Sequence, residues 1–199
     1  MNFMTRVWRR LLQEWWQLSV PIRLRSLGVD VGTGVRFYGM PIVSLTKGSR
    51  ISIGDRVVLC SDSRFTDLGV NHPVVLRTLR AGAGILIGND VGMSGGAICA
   101  AVRVSIGNEC LIGANVTIAD TDFHAVAPAG RRFNGNQNCI SVGAVAVGNN
   151  VFIGTQSVIL KGVTIGDNSI IGANSLVAKG IPVNVIAGGH PAHVIKNIP

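Results

Sequence analysis

Residues 147–183 read VGNNVFIGTQSVILKGVTIGDNSIIGANSLVAKGIPV, and a β-branched residue returns at every sixth position: Val147, Ile153, Ile159, Ile165, Ile171, Val177 and Val183. The next residue is usually small, as in Gly148, Gly154, Gly166, Gly172 and Ala178, and Asn or Asp follows closely, as in Asn149-Asn150, Asp167-Asn168 and Asn174. An amphipathic α-helix would bring apolar residues back at three and four, and unrelated hairpins would not keep one period for so long. Each hexad reads as a short strand followed by a turn. Stacked so that each strand bonds to strands one coil above and below, such hexads build a parallel β-helix. The β-branched residue points inward, and Gly or Asn takes corners where φ is positive.

Upstream the same register continues with interruptions, at Val31, Phe37 and Val43, at Ile53 and Leu59, at Ile87 and Met93, and at Ile106, Ile112 and Ile118. Two breaks are long, giving expected loops at about 60–84 and 119–145. Long insertions in a solenoid leave from one face and often carry the binding site. The expected fold is all-β: a β-helix over 27–187, preceded by a short helical segment over 1–26 and followed by a tail over 188–199.

Composition fits one such domain. The 199 residues include 26 glycines, 5% aromatic and 14% charged residues, and the mean hydropathy is +0.42. That hydropathy does not describe a membrane-spanning protein, because no apolar run approaches the roughly 20 residues needed to cross a bilayer. The N-terminus, broken by Arg6, Arg9, Arg10, Gln13 and Glu14, lacks the apolar stretch of a secretory signal, so a cytoplasmic location is expected. Cys60, Cys99, Cys110 and Cys139 form no C-x-x-C pair and read as reduced thiols, with no metal site expected. A net charge of +8 calls for an anionic partner without choosing one. Nucleic acid is disfavoured, since the cations are scattered except at the N-terminus and no aromatic–basic platform is visible.

The run of hexads, the preceding loop IADTDFHAVAP (118–128) and the closing segment IPVNVIAGGHPAHVIKNIP (181–199) occur in an order that resembles the hexapeptide-repeat acyltransferase superfamily. The sugar O-acetyltransferase branch, which includes galactoside and maltose acetyltransferases, looks most similar, and the resemblance covers roughly residues 30 to 197. It implies a left-handed β-helix, an exception to the right-handed crossover rule. It also implies a homotrimer with active sites between neighbouring copies. The implied reaction moves an acetyl group from acetyl-CoA, a co-substrate rather than a bound cofactor, to a hydroxyl of a sugar or surface-polysaccharide precursor.

A hydroxyl is a poor nucleophile until its proton is being removed, and histidine suits that task near neutral pH. Of His72, His124, His190 and His193, only His124 lies in the loop that leaves a regular coil at Ile118 and matches the family's catalytic histidine. Asp120 and Asp122 precede it and fit either orientation of the ring or a structural turn. Matching the galactoside branch backward brings Ser94, in VGMSGGAICA, near an acceptor-contacting position. That branch's acidic residue falls at Ala100-Ala101, which points to a different acceptor. The insertion CSDSRFTDLGVNHP offers Asp62, Arg64, Asn71 and His72 for hydroxyl recognition. For acetyl-CoA, Thr155 and Ala173 match pantetheine contacts, and Lys179 and Lys196 match basic residues near the nucleotide phosphates. The closing GHPAHVIK departs from the usual G-N-P-A-K or G-x-P-C-R, with His190 at a turn position and His193 in place of a cation.

Met4, Trp8, Leu11, Trp15 and Leu18 alternate at spacings of four and three, the mark of one apolar helical face, in a helix expected to end before Pro21. Up to Arg25 this stretch carries five arginines against Glu14 alone. Two readings fit: the helix caps the open end of the solenoid, or residues 1–20 touch the inner face of the cell membrane peripherally.

Three other functions were weighed. A γ-type carbonic anhydrase would need a second histidine five residues after His124, which is absent. A non-catalytic β-helix scaffold would not need the His124 loop. An N-acetyltransferase acting on a nucleotide-linked amino sugar would need the same base, and stays open beside O-acetylation.

Overall fold

A computed structural model describes residues 3–133 and 135–198. Residues 1, 2 and 199, the outer ends of the expected helix and tail, lie outside the described residues.

The hexads wind into a parallel β-helix with three faces. In the described residues these are sheets of six, eight and six strands, and up to Leu176–Val177 each face is built from every third strand in the chain, joined to the strand one coil away. Three inward stacks account for the period read in the sequence. On face one Val31, Ile53, Ile87, Ile106, Val147 and Ile165 pair in succession. On face two Phe37, Leu59, Met93, Ile112, Ile153, Ile171 and Ala187 do so. On face three the stack is Val43, Leu76, Ile98, Ile118, Ile159 and Val177. Apart from the half-buried Val31 and Val43, every member is buried. Each such side chain removed from water contributes about 1.5–3 kcal/mol.

The expected register gains two inward members and loses one. Leu76 and Ile98 belong to regular strands, Val75–Thr78 and Ala97–Ala100, inside a stretch where the hexad spacing breaks. The first insertion therefore occupies only residues 61–74, instead of reaching 84. Val183, the last of the seven hexad positions, is 55% exposed. Ile181 bridges to Ile165 and takes the inward place, because the final turn is two residues shorter than an 18-residue coil.

The edge between faces one and two shows why the turns read Gly-Asn. Gly88, Gly107 and Gly148 do not have positive φ. A Cβ on Gly107 would lie 2.5 Å from the Gly148 carbonyl oxygen, so glycine is required by the closeness of successive coils. The positive φ falls on the residue two further on: Asp90, Glu109, Asn150 and Asn168. Between them a ladder of side chains ties coil to coil. The backbone N–H of Thr33 donates to Asp55, that of Asp55 to Asn89, of Asn89 to Asn108, of Asn108 to Asn149, and of Asn149 to Asp167.

The N-terminal helix α1 runs Phe3–Ser26, 24 residues, and passes through Pro21 instead of stopping before it. Its last turn survives the missing N–H because Val20 and Leu24 are buried in the solenoid core. The helix then closes at Gly28, φ +86°, with Gly28 N–H donating to Arg25 O and Val29 N–H to Leu24 O. The face that docks is not the stripe read from the sequence. Gln17 exchanges two hydrogen bonds with the backbone of Phe37, as a neighbouring strand would. Trp16 packs against the core and edge-on to Phe65, ring centroids 5.3 Å apart. The helix thus covers the open end of the first coil. At the other end residues Ala192–Asn197 fold back as an antiparallel strand on Val185–Gly189.

Candidate functional site

Two edges carry the polar residues of interest. The third edge, where face three turns into face one, releases the second insertion after the strand Thr117–Ala119; the chain rejoins at Val145–Val147. An antiparallel bridge between Thr121 and Val142 closes the base of this loop.

Asp120 is fully buried and accepts hydrogen bonds from the backbone N–H groups of Ala101, Val102 and Arg103, at 2.6, 2.7 and 2.6 Å. It pins the corner of the coil below and does not face solvent. The even choice left by the sequence resolves toward structure for this residue. Asp122 is held in place differently: Lys161 Nζ donates to its Oδ1 at 2.8 Å, from the same corner one coil above. The backbone N–H of His124 donates to Asp122 O at 2.7 Å, Phe123 takes φ +61°, and Ala125 is buried. Between these anchors the His124 side chain is exposed. No carboxylate of the loop is hydrogen-bonded to its ring among the described residues, so Asp122 places the backbone of His124 and its own charge is taken up by Lys161.

The second edge, between faces two and three, gathers the residues read for acceptor and pantetheine. The first insertion lies against it: the Asn71 backbone N–H donates to Asn115 Oδ1 at 2.8 Å, and the Asn115 N–H donates to Ser94 O. A Cβ on Gly95 would strike Val70 at 2.8 Å and the His72 carbonyl at 3.0 Å, so the loop is seated on this corner. His72 is exposed, with Nδ1 donating to Pro73 O at 2.7 Å, which leaves Nε2 as the acceptor nitrogen. Thr155 and Ala173 occupy the same edge one and two coils further on. Thr155 Oγ1 donates to Ala114 O at 2.6 Å, and the Asn174 N–H to Thr155 O. Asp62 and Arg64 pair with each other, the exposed Arg64 guanidinium also lies over the Trp8 ring, and Asp62 caps the short turn Ser63–Phe65. The Arg64 guanidinium holds the Asp62 carboxyl below the ordinary range for an aspartate.

Lys179 sits on the third edge, one coil beyond Lys161. A cavity of about 480 Å³ opens between Ala178, Lys179, His190, Pro191, Ala192 and His193. Lys196 is exposed on the returning strand, opposite Ile186. The structure therefore brings Asn71, His72, Ser94, Thr155 and Ala173 to one edge, and His124, Asp122 and Lys179 to another. It does not join the two groups within one chain. Lys161 is the residue that the sequence reading passed over. Its signal was the coil length, since Lys161 and Lys179 are 18 residues apart and so share a corner. The four cysteines are free, and burial pushes the thiols of Cys60, Cys99 and Cys110 up.

Comparison with known proteins agrees with the repeat fold. The family model of the bacterial transferase hexapeptide (six repeats) matches residues 144–179, and that of the hexapeptide repeat of succinyl-transferase matches residues 103–119. No curated protein matches the chain. Among solved structures, a galactoside acetyltransferase in complex with coenzyme A is 27% identical, over 98% of this chain and 80% of that one, with a TM-score of 0.53. AntD, an N-acyltransferase from Bacillus cereus in complex with dTDP and 3-hydroxybutyryl-CoA, shares the fold at 21% identity, over 90% of this chain and 88% of that one, TM-score 0.70. So does a hexapeptide-repeat-containing acetyltransferase from Vibrio cholerae O1 biovar eltor complexed with acetyl coenzyme A, at 19% identity, over 100% and 91%, TM-score 0.55. With its repeats, its interrupting histidine loop and its closing segment in place, the chain carries the hexapeptide repeats of bacterial transferases and is similar to hexapeptide-repeat acetyltransferases.

Proposed function

We propose that this protein is an acetyl-CoA-dependent O-acetyltransferase acting on a hydroxyl of a sugar or surface-polysaccharide precursor, with His124 as general base. The observation that carries this reading is the His124 loop. It leaves the solenoid after Thr117–Ala119, is anchored by Thr121, Asp122 and Ala125, and leaves the imidazole exposed. Such fixation of one titratable ring on a rigid scaffold is what proton abstraction from a positioned alcohol requires.

The acceptor O–H gives its proton to His124 as the oxygen attacks the thioester carbonyl. The C–S bond breaks, and the departing thiolate takes the proton from the imidazolium. An ester and free CoA–SH result, with no covalent enzyme intermediate. On the donor side Thr155 and Ala173 lie along the second edge for the pantetheine arm, and Lys179 and Lys196 stand near the C-terminal end for the phosphates. Asn71, His72 and Ser94 form the acceptor group.

The two-edge arrangement supports a homotrimer. In one chain the edges are separated by the width of face three, roughly 10–13 Å for strands of three or four residues. A sugar and thioester held on the second edge of one copy meet His124 only where a neighbouring copy offers its third edge, and cyclic closure repeats that contact. Left-handed winding, as in the family, goes with this assembly. The four free cysteines and the thioester donor both suit a reducing cytoplasm.

The test is thiol release from acetyl-CoA in the presence of a panel of hydroxyl and amino sugars, with the wild-type protein and His124→Ala. Release with hydroxyl sugars that His124→Ala abolishes supports the reading. Release with amino sugars alone would replace O- by N-acetylation, and undiminished release by a folded His124→Ala would remove His124 from the role.

A further inference from the structure

Helix α1 has two opposed faces, one packed on the solenoid and one left mostly open, where only Trp8 at its margin is touched, by the Arg64 guanidinium 4.9 Å from its ring centroid among the described residues. At 100° per residue Val20, Leu24, Trp16, Gln13 and Gln17 lie on the side that packs on the solenoid, where Val20 and Leu24 are buried. Met4, Trp8, Leu11, Trp15, Leu18 and Ile22 lie on the other side, and they are 50–74% exposed. Six large apolar side chains in one continuous stripe are more than scattered surface hydrophobes and mark a docking surface. The two readings of this helix left open by the sequence therefore do not compete: one face caps the end coil and the opposite face is left for a partner.

The surroundings of the stripe say what that partner is. Arg10 and Arg23 are exposed on the two flanks between the stripe and the docked face, the first turn of the helix has no acidic residue, and Glu14 is the only acid in the whole segment. Tryptophan at the margin of an apolar face, flanked by arginine, matches the boundary between lipid headgroups and acyl chains, and the arginines match negative headgroups. No helix among the described residues is long and apolar enough to cross a membrane, so contact on this face is peripheral. We propose that α1 docks the protein on the surface of an anionic lipid bilayer, with Met4, Trp8, Leu11, Trp15, Leu18 and Ile22 inserted and Arg10 and Arg23 among the headgroups. This goes beyond the acyl-transfer reading and does not depend on it, since vesicle binding reads the helix whether or not a sugar is acetylated.

The helix contributes Val20 and Leu24 to the core, so deleting it would damage the fold and decide nothing. Point changes on the outward face avoid this. All three tryptophans of the chain, Trp8, Trp15 and Trp16, lie on α1, so intrinsic emission reports on the helix directly. The experiment mixes the full chain with vesicles of phosphatidylcholine alone, or of phosphatidylcholine with phosphatidylglycerol at three to one, and follows sedimentation and tryptophan emission. The expected result is pelleting and a blue shift on the phosphatidylglycerol vesicles, weakened by salt. Leu11→Gln/Leu18→Gln, at unchanged thermal midpoint, should bind at least tenfold more weakly, because two buried leucines are withdrawn. Arg10→Gln/Arg23→Gln should bind roughly thirtyfold more weakly, from about 1 kcal/mol per cation near a charged surface. Wild-type protein that stays unbound on phosphatidylglycerol vesicles overturns the proposal, as does equal binding to both vesicle types. A leucine double variant that falls to a smaller oligomer, while the wild type binds no vesicle, would show instead that the stripe is a seam between copies of this chain.

Discussion

Lys161 Nζ lies 2.8 Å from Asp122 Oδ1, so the corner of one coil clamps the loop that left the solenoid on the coil before it. Both side chains are about one-third exposed, so the pair contributes at most about 1 kcal/mol to stability. Its importance is positional, because the residue after next is His124. Lys161→Met should lower kcat by about 10- to 100-fold, since small displacements of a catalytic group are costly. The melting temperature should change little, and Lys161→Arg should recover part of the rate. Steady-state kinetics beside thermal melts would check this, and an unchanged kcat would show that the clamp does not set the position of His124.

His124→Ala should lower kcat by about 10²- to 10⁴-fold, the range for loss of a positioned general base. Because the ring is exposed, the urea midpoint should stay where it is. Activity and unfolding measured on one preparation separate the two effects.

Asp120→Ala should show the opposite balance. Three buried backbone N–H groups, of Ala101, Val102 and Arg103, lose their acceptor. A loss of about 3–5 kcal/mol in unfolding free energy is expected. Urea titration followed by circular dichroism reads it.

Two glycines should respond differently to alanine. At Gly107 the new Cβ meets the Gly148 carbonyl at 2.5 Å, and overpacking of backbone against backbone should cost about 1–3 kcal/mol. At Gly84 nothing lies within 4 Å, and alanine should be neutral or stabilising by about 0.4–1 kcal/mol. Melting both variants beside the wild type gives the contrast.

Acid should loosen the first insertion beneath α1. The Arg64 hydrogen bond lowers the Asp62 pKa from its ordinary 3.8. The unfolded chain therefore binds a proton more readily, and the stability from this pair is full above the ordinary value and lost as pH falls through the folded one. Thermal melts followed by tryptophan emission should hold level with respect to this pair down to about pH 4 and decline below it. Asp62→Asn should make that decline smaller.

The solenoid was legible because its inward stacks repeat with the chain: Ile153, Ile159 and Ile165 each turn onto a different face, and each returns one coil later under a residue of the same kind. Leu76 and Ile98 escaped notice because insertions and short corners shift the spacing without changing which side chain points inward. His124 could be singled out by the loop that interrupts the repeat. Lys161 could not, because its partner Asp122 is 39 residues away and only stacking brings them together.

What the sequence determined by itself is the parallel β-helix, the position of the histidine loop, and the amphipathic character of α1, all of which follow from local period and composition. Tertiary structure alone decided that Asp120 is a buried staple and that Asp122 answers to Lys161. It also decided that Asn71, His72 and Ser94, proposed for the acceptor, lie on a different edge from His124, proposed as the base, and that α1 docks through Gln17, Val20 and Leu24 with Trp8 and Trp15 on its outward stripe. The physical reason is the same in each case. A hydrogen bond, an ion pair or a packed face is chosen by what the rest of the chain places opposite it, and a local pattern says only that such a partner is wanted.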